Sequence, residues 1–132
     1  MKITADTNVL VGAVTGDDKR QSKIAQAELA NADVVALAVP ALCELVWVLS
    51  QGYKIPSVEI AEGMRRLLIS ANVIVNRPAV EAGLALLDAG GDFADGIIAY
   101  EGNWLGAGTF VSFDKKAVNL MEAQGKFVRL LS

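Results

Sequence analysis

The chain contains no histidine, and this absence removes more functions than any motif supplies. Without an imidazole there is no Ser-His-Asp triad, no Cys-His pair and no HExxH zinc site. Any chemistry has to run on carboxylates, hydroxyls, lysines or a borrowed metal ion. Cysteine is almost as scarce. Cys43 stands alone, so no intrachain disulfide can form, a cysteine-based zinc site lacks ligands, and Cys43 is read as a small core residue. No repeat, low-complexity tract or linker rich in Pro, Gly or Ser interrupts the chain. A long apolar run is missing too: Val34 to Leu49 is broken by Pro40 and Glu44, whereas a membrane span needs about 20 apolar residues. No membrane association is expected. The N-terminal "MKITADTNVL" has polar residues where a secretory signal would carry its apolar run, so a cytoplasmic location is expected.

What is present is a compact composition. A length of 132 residues, 53% of them hydrophobic and 20% charged, suits one domain spanning 1–132. The apolar excess suggests that a partner covers part of the surface. The formal net charge of -3 argues against non-specific attraction to a phosphate backbone, although local basic patches can override it.

Five short β-branched segments, "KITAD", "DVVALAV", "NVIVN", "GTFVSF" and "KFVRLL", are separated by helical patterns, which implies a parallel sheet. Ile60, Met64, Leu67 and Leu68 recur at helical spacing, as do Val80, Leu84 and Leu87, and then Phe93, Ile97, Tyr100 and Trp104. Gly52, Gly91 and Gly125 follow helical runs, and Pro40, Pro56 and Pro78 stand near helix starts. The fold class expected is α/β: a three-layer α/β/α sandwich around a central parallel sheet of about five strands.

Ligands of such folds collect beyond the carboxyl ends of the strands. Asp6 ends "KITAD", Glu44 falls in the first turn after the second strand, Asp114 closes "TFVSFD", and Asp95 lies in the first turn of the helix opened by "GDFADGIIAYEGNW". All four are expected on one rim. In "DFAD", Asp92 is read as a helix N-cap rather than a ligand, in a variant of the capping box. Asp95 is off the stripe of Phe93, Ile97, Tyr100 and Trp104, so packing does not explain it. Asp114, followed by Lys115 and Lys116, is equally readable as the start of the last helix. Asp6 and Glu44 sit in apolar stretches without a nearby lysine or arginine. An ionised group buried there costs several kcal/mol unless it finds a counter-charge. A divalent cation shared by hard oxygen ligands, Mg²⁺ or Mn²⁺, would satisfy all four acids at once.

The motifs "DTNVLV", "LCELVWVL", "DFADGIIA" and "FVSFDKKA", taken in that order and spacing, resemble the PIN-domain nucleases along essentially the whole chain. The resemblance is specifically to the VapC-type toxins of toxin-antitoxin pairs. It implies a metal-dependent ribonuclease acting on structured RNA of the tRNA or ribosomal class, commonly a homodimer, silenced by a cognate antitoxin protein. It further implies that Asp6 and Asp95 are the principal metal ligands, that Glu44, in the second helix, binds metal or orients its water, and that Asp114 is the fourth acid. Ser112 matches a hydroxyl that hydrogen-bonds within the acidic cluster, and Thr7 and Asn8 match the polar pair after the first aspartate. Arg65 and Arg66 on the third helix, with Lys115 and Lys116, are the cations expected to bring RNA to the acids.

Other readings differ at definite positions. A signalling receiver domain would end its third strand on aspartate, where this chain has Asn76 and Arg77; a haloacid dehalogenase-type phosphatase would carry a second aspartate where Asn8 stands. A non-catalytic PIN-like binding module and a free-standing RNA-processing nuclease are the remaining alternatives.

Overall fold

The computed structural model describes residues 1–132. The chain forms two compact units, Met1–Asn76 and Arg77–Ser132, and each builds its own parallel sheet.

The first unit runs β1 (Lys2–Thr4), α1 (Thr7–Thr15), α2 (Lys19–Asn31), β2 (Val34–Leu37), α3 (Val39–Trp47), a π-helical turn (Val48–Gly52), α4 (Ser57–Ile69) and β3 (Val73–Val75). β2 is central. Ile3 lies opposite Val35 on one side, and Ala36 opposite Ile74 on the other, both pairings parallel. Parallel neighbours need a long crossover, and the helices supply it. Val35 and Leu37 of β2 are buried, along with Leu10 of α1, Leu42, Leu45 and Val46 of α3, and Ile60, Met64 and Leu68 of α4. Gly16 closes α1 in the left-handed region at φ 64°, which glycine adopts without steric cost. Asp18 then opens α2, its carboxylate accepting from the backbone N–H groups of Arg20 and Gln21 at 3.0 and 3.1 Å. At the other end of α2, the Asn72 amide donates to the carbonyls of Leu29 and Ala32 at 2.8 and 3.0 Å. Two helix-end carbonyls left over by the i→i+4 pattern are thereby satisfied.

The second unit runs α5 (Arg77–Asp88), α6 (Phe93–Trp104), β4 (Thr109–Ser112), α7 (Lys115–Ala123) and β5 (Phe127–Leu130). β4 and β5 pair in parallel from Thr109 opposite Phe127 to Ser112 opposite Leu130, with α7 as the crossover. α5 and α6 approach through glycine: a Cβ on Gly83 would meet the Phe93 ring at 2.8 Å, and one on Gly96 would meet the Ala82 carbonyl oxygen at 2.6 Å. Phe93 fills the space left by Gly83 and is fully buried.

The fold is α/β with five parallel strands, divided between a three-stranded and a two-stranded sheet where the sequence suggests one continuous sheet. Hydrophobic patterning fixes strand number and direction but does not encode which strands become neighbours. Two helices, not one, separate β1 from β2, so Glu44 lies on the third helix and Arg65 and Arg66 on the fourth. The α6 stripe is buried at Phe93 and Ile97, half-buried at Tyr100, and runs out at Trp104, which is 80% exposed. Cys43 is half-buried rather than part of the core. No helix is long and apolar enough to cross a membrane.

Candidate functional site

In the first unit, Asp6 follows the carboxyl end of β1 and is the N-cap of α1, its side chain accepting from the Val9 N–H at 3.1 Å. Thr7 and Asn8 form the first two positions of that helix. Glu44 is in the second turn of α3, because Ala38 caps that helix and residues 39–42 fill its first turn. The expected first-turn position is therefore corrected. Asp6 and Glu44 are both exposed to solvent, so the desolvation that the sequence suggests for this pair does not arise. Their apolar neighbours in sequence turn inward and leave the carboxylates in water.

The desolvated acid is Asp95, in the second unit. It is half-buried in the first turn of α6, where the helix dipole alone would favour its ionised form. Burial nevertheless raises its pKa above the ordinary 3.8, and the negative charges of Asp92 and Asp114 raise it further. The three influences act in one direction, which leaves Asp95 in surplus negative potential. α6 follows α5 through a helix–helix turn, so Asp95, unlike Asp6 and Asp114, is not delivered by a strand end.

Asp92 takes the expected N-cap position with extended backbone, but its carboxylate makes no cap hydrogen bond. The Asp92 backbone carbonyl instead accepts from the Gly96 N–H at 3.3 Å. Asp114 follows the carboxyl end of β4 and caps α7 by accepting from the Ala117 N–H at 3.1 Å. The hydroxyl oxygen of Ser112 accepts from the Asp114 N–H at 2.9 Å, which fixes the backbone from which that carboxylate projects. Lys115 and Lys116 are the first residues of α7 and are exposed; Arg65 and Arg66 are exposed near the end of α4.

Carboxylate oxygens are the donors that Mg²⁺ and Mn²⁺ prefer, and a divalent cation would relieve the unfavourable potential at Asp95. In donor chemistry the residues fit such an ion. Neither unit alone gathers three or more Asp, Glu, His or Cys side chains into a metal-holding group.

Gly96, next to Asp95, is a positioning residue that the apolar periodicity does not reveal. The available signal is glycine inside a helical pattern: it costs about 1 kcal/mol relative to alanine, and where it persists it marks a close approach. The Gly96 contact with the backbone of Ala82 sets how α6, and Asp95 with it, sits on α5.

None of the curated proteins compared with the chain matches it. A family model described as the PIN domain matches residues 3–120, a span that includes Asp6, Glu44, Asp92, Asp95, Ser112 and Asp114. Proteins of this family are in general metal-dependent nucleases, in keeping with a chain that offers carboxylates and no histidine. The chain belongs to the PIN domain family.

Proposed function

We propose that the chain is a Mg²⁺- or Mn²⁺-dependent endoribonuclease that hydrolyses phosphodiester bonds of structured RNA of the tRNA or ribosomal class. In this reading it is a VapC-type toxin acting in the cytoplasm as a homodimer, held silent by a cognate antitoxin protein. The observation that carries the nuclease reading is Asp95, a half-buried acid with Asp92 and Asp114 adding negative charge. A fold keeps such an arrangement at the expense of stability, and a divalent cation removes that expense.

The acids proposed to hold the ion are Asp6, Glu44, Asp95 and Asp114. When bound, the ion lowers the pKa of water and neutralises charge building on the phosphate. The chain's own groups do the rest. With no histidine, the proton released by the attacking water goes to a carboxylate, and the exposed Glu44 is free to receive or steer it. Ser112 holds the backbone of Asp114, and Gly96 lets α6 seat Asp95 against α5. Arg65, Arg66, Lys115 and Lys116 counter the repulsion between RNA and the acids. In-line attack by water leaves a 5′-phosphate and a 3′-hydroxyl.

Support for protein partners comes from large apolar side chains in water. In the second unit Trp104, Leu105, Phe113 and Phe127 are 76–82% exposed, and an apolar groove of about 520 Å³ is lined by Ile98, Tyr100, Phe110, Val111 and Phe127 among others. Surfaces of this kind mark association sites.

The experiment is cleavage of a tRNA and ribosomal RNA mixture with Mn²⁺ by antitoxin-free protein, beside identically purified Asp6→Asn and Asp95→Asn variants. Cleavage that disappears in both variants and with chelator supports the reading. Products ending in 2′,3′-cyclic phosphate would rule out hydrolysis by water.

A further inference from the structure

The net charge of the chain is -3, yet three of its cations crowd into one turn and a half of α2. Lys19, Arg20 and Lys23 are exposed and, with Gly16, Ser22 and Gln26, line an open groove of about 510 Å³ in the first unit. None of the three cations forms a salt bridge. Lys19 and Lys23 are four apart on one helix face, a spacing at which like charges repel. All three also sit at the amino end of α2, where no acidic residue occupies the first turn and cations are disfavoured by the helix dipole. Asp18, the nearest carboxylate in sequence, is engaged by the Arg20 and Gln21 N–H groups, and Asp17 accepts from the Tyr53 hydroxyl at 3.1 Å. Neither carboxylate forms an ion pair with the cluster, and three cations against these two carboxylates leave residues 17–23 with one net positive charge.

The groove floor is held in place. The Gln26 amide donates to the Ala13 carbonyl at 3.0 Å and to the Ser22 hydroxyl at 3.3 Å, bracing α2 against α1. Ser22 is only 6% exposed.

We infer that this groove binds the sugar-phosphate backbone of RNA. The inference rests on the ribonuclease reading above and adds to it a docking surface built from other residues than the acids and than Arg65, Arg66, Lys115 and Lys116. Its lining decides the class of ligand. The exposed lysine and arginine side chains are donors that phosphate contacts use, while Ser22 and Gln26 are committed to the floor. No apolar or aromatic residue lines the groove, so an acidic protein segment would find none of the anchors that dominate protein interfaces. A phosphate backbone needs only the charge and the donors.

The test is binding of a fluorescently labelled RNA hairpin in EDTA, where cleavage is silent, by fluorescence anisotropy across 50–200 mM salt. The proteins compared are the wild type, Lys19→Ala/Arg20→Ala/Lys23→Ala, and the charge-matched control Lys2→Ala/Lys54→Ala/Arg129→Ala, whose sites are exposed and outside the groove. Circular dichroism establishes that all three are folded. Each phosphate contact contributes roughly 0.7–0.9 to the slope of log affinity against log salt. The groove variant is therefore expected to show a slope shallower by about 2 and at least about tenfold weaker binding at 100 mM salt, with the control close to wild type. Equal slopes in wild type and groove variant, or equal losses in both variants, would overturn the groove while leaving the nuclease reading intact. A wild type that binds polyglutamate through these residues but no RNA would overturn both the groove and the RNA reading beneath it.

Discussion

A Cβ on Gly96 would lie 2.6 Å from the carbonyl oxygen of Ala82, so α5 and α6 meet backbone to backbone one residue away from Asp95. Gly96→Ala must push the helices apart, because the obstruction is main chain and cannot rotate aside. The expected cost is about 1–3 kcal/mol from overpacking. Urea unfolding measures it, and cleavage assayed well below the unfolding transition should fall as well, since Asp95 moves with α6. A variant as stable as wild type would mean that the helices part without strain.

Asp95 gives the fold a pH dependence of definite sign. Its folded-state pKa is raised above the ordinary 3.8. Below that ordinary value the carboxyl is protonated in folded and unfolded chains alike, and it carries no penalty. As the pH rises through the window up to the folded value, the unfolded chain loses its proton first, stability falls, and the penalty is complete above the folded pKa. Asp95→Asn is therefore expected to raise the thermal midpoint at pH 7 in metal-free buffer, with the advantage shrinking as the pH drops toward 3.8. Adding Mn²⁺ should raise the midpoint of the wild type more than that of the variant, since binding to the native state alone is stabilising.

Asp6 has a structural task that can be separated from its proposed catalytic one. Its carboxylate caps α1 through the Val9 N–H. Asparagine caps about as well as aspartate, whereas alanine costs about 0.5–2 kcal/mol. Asp6→Asn should unfold close to wild type and Asp6→Ala at lower temperature, with cleavage lost in both. Retained cleavage in the asparagine variant would limit Asp6 to capping.

Asn72→Ala removes the amide that serves both Leu29 and Ala32. Half-buried carbonyls left without donors cost about 1–3 kcal/mol. Chemical denaturation should show that loss, while RNA cleavage per folded molecule stays unchanged.

These residues show how far the sequence can be read. Strand number and direction are legible because "DVVALAV" and "TFVSFD" are β-branched runs bounded by helical patterns. The partition into two sheets is not, because neighbour choice depends on contacts that periodicity does not encode. α1 is easily missed because Thr, Val and Asn dominate it, residues of weak helix propensity, and its ends are set by Asp6 and Gly16 rather than by its interior. At the site, residue chemistry is legible and burial is not. Apolar flanks in sequence suggest buried carboxylates at Asp6 and Glu44, yet in helices such flanks point elsewhere, and both acids stand in solvent. Asp95, outside the apolar stripe of its own helix, is the acid that burial perturbs. Gly96 explains part of this, since a helix seated so closely on its neighbour also brings its off-stripe residues toward protein.

The measurement that tests the central claim most directly is Mn²⁺-dependent cleavage of tRNA and ribosomal RNA by the wild type, Asp6→Asn and Asp95→Asn, all shown to be folded. Discrete products ending in 5′-phosphate are expected from the wild type alone, abolished by chelator. Equal cutting by all three proteins, or cutting that persists in EDTA, would contradict it.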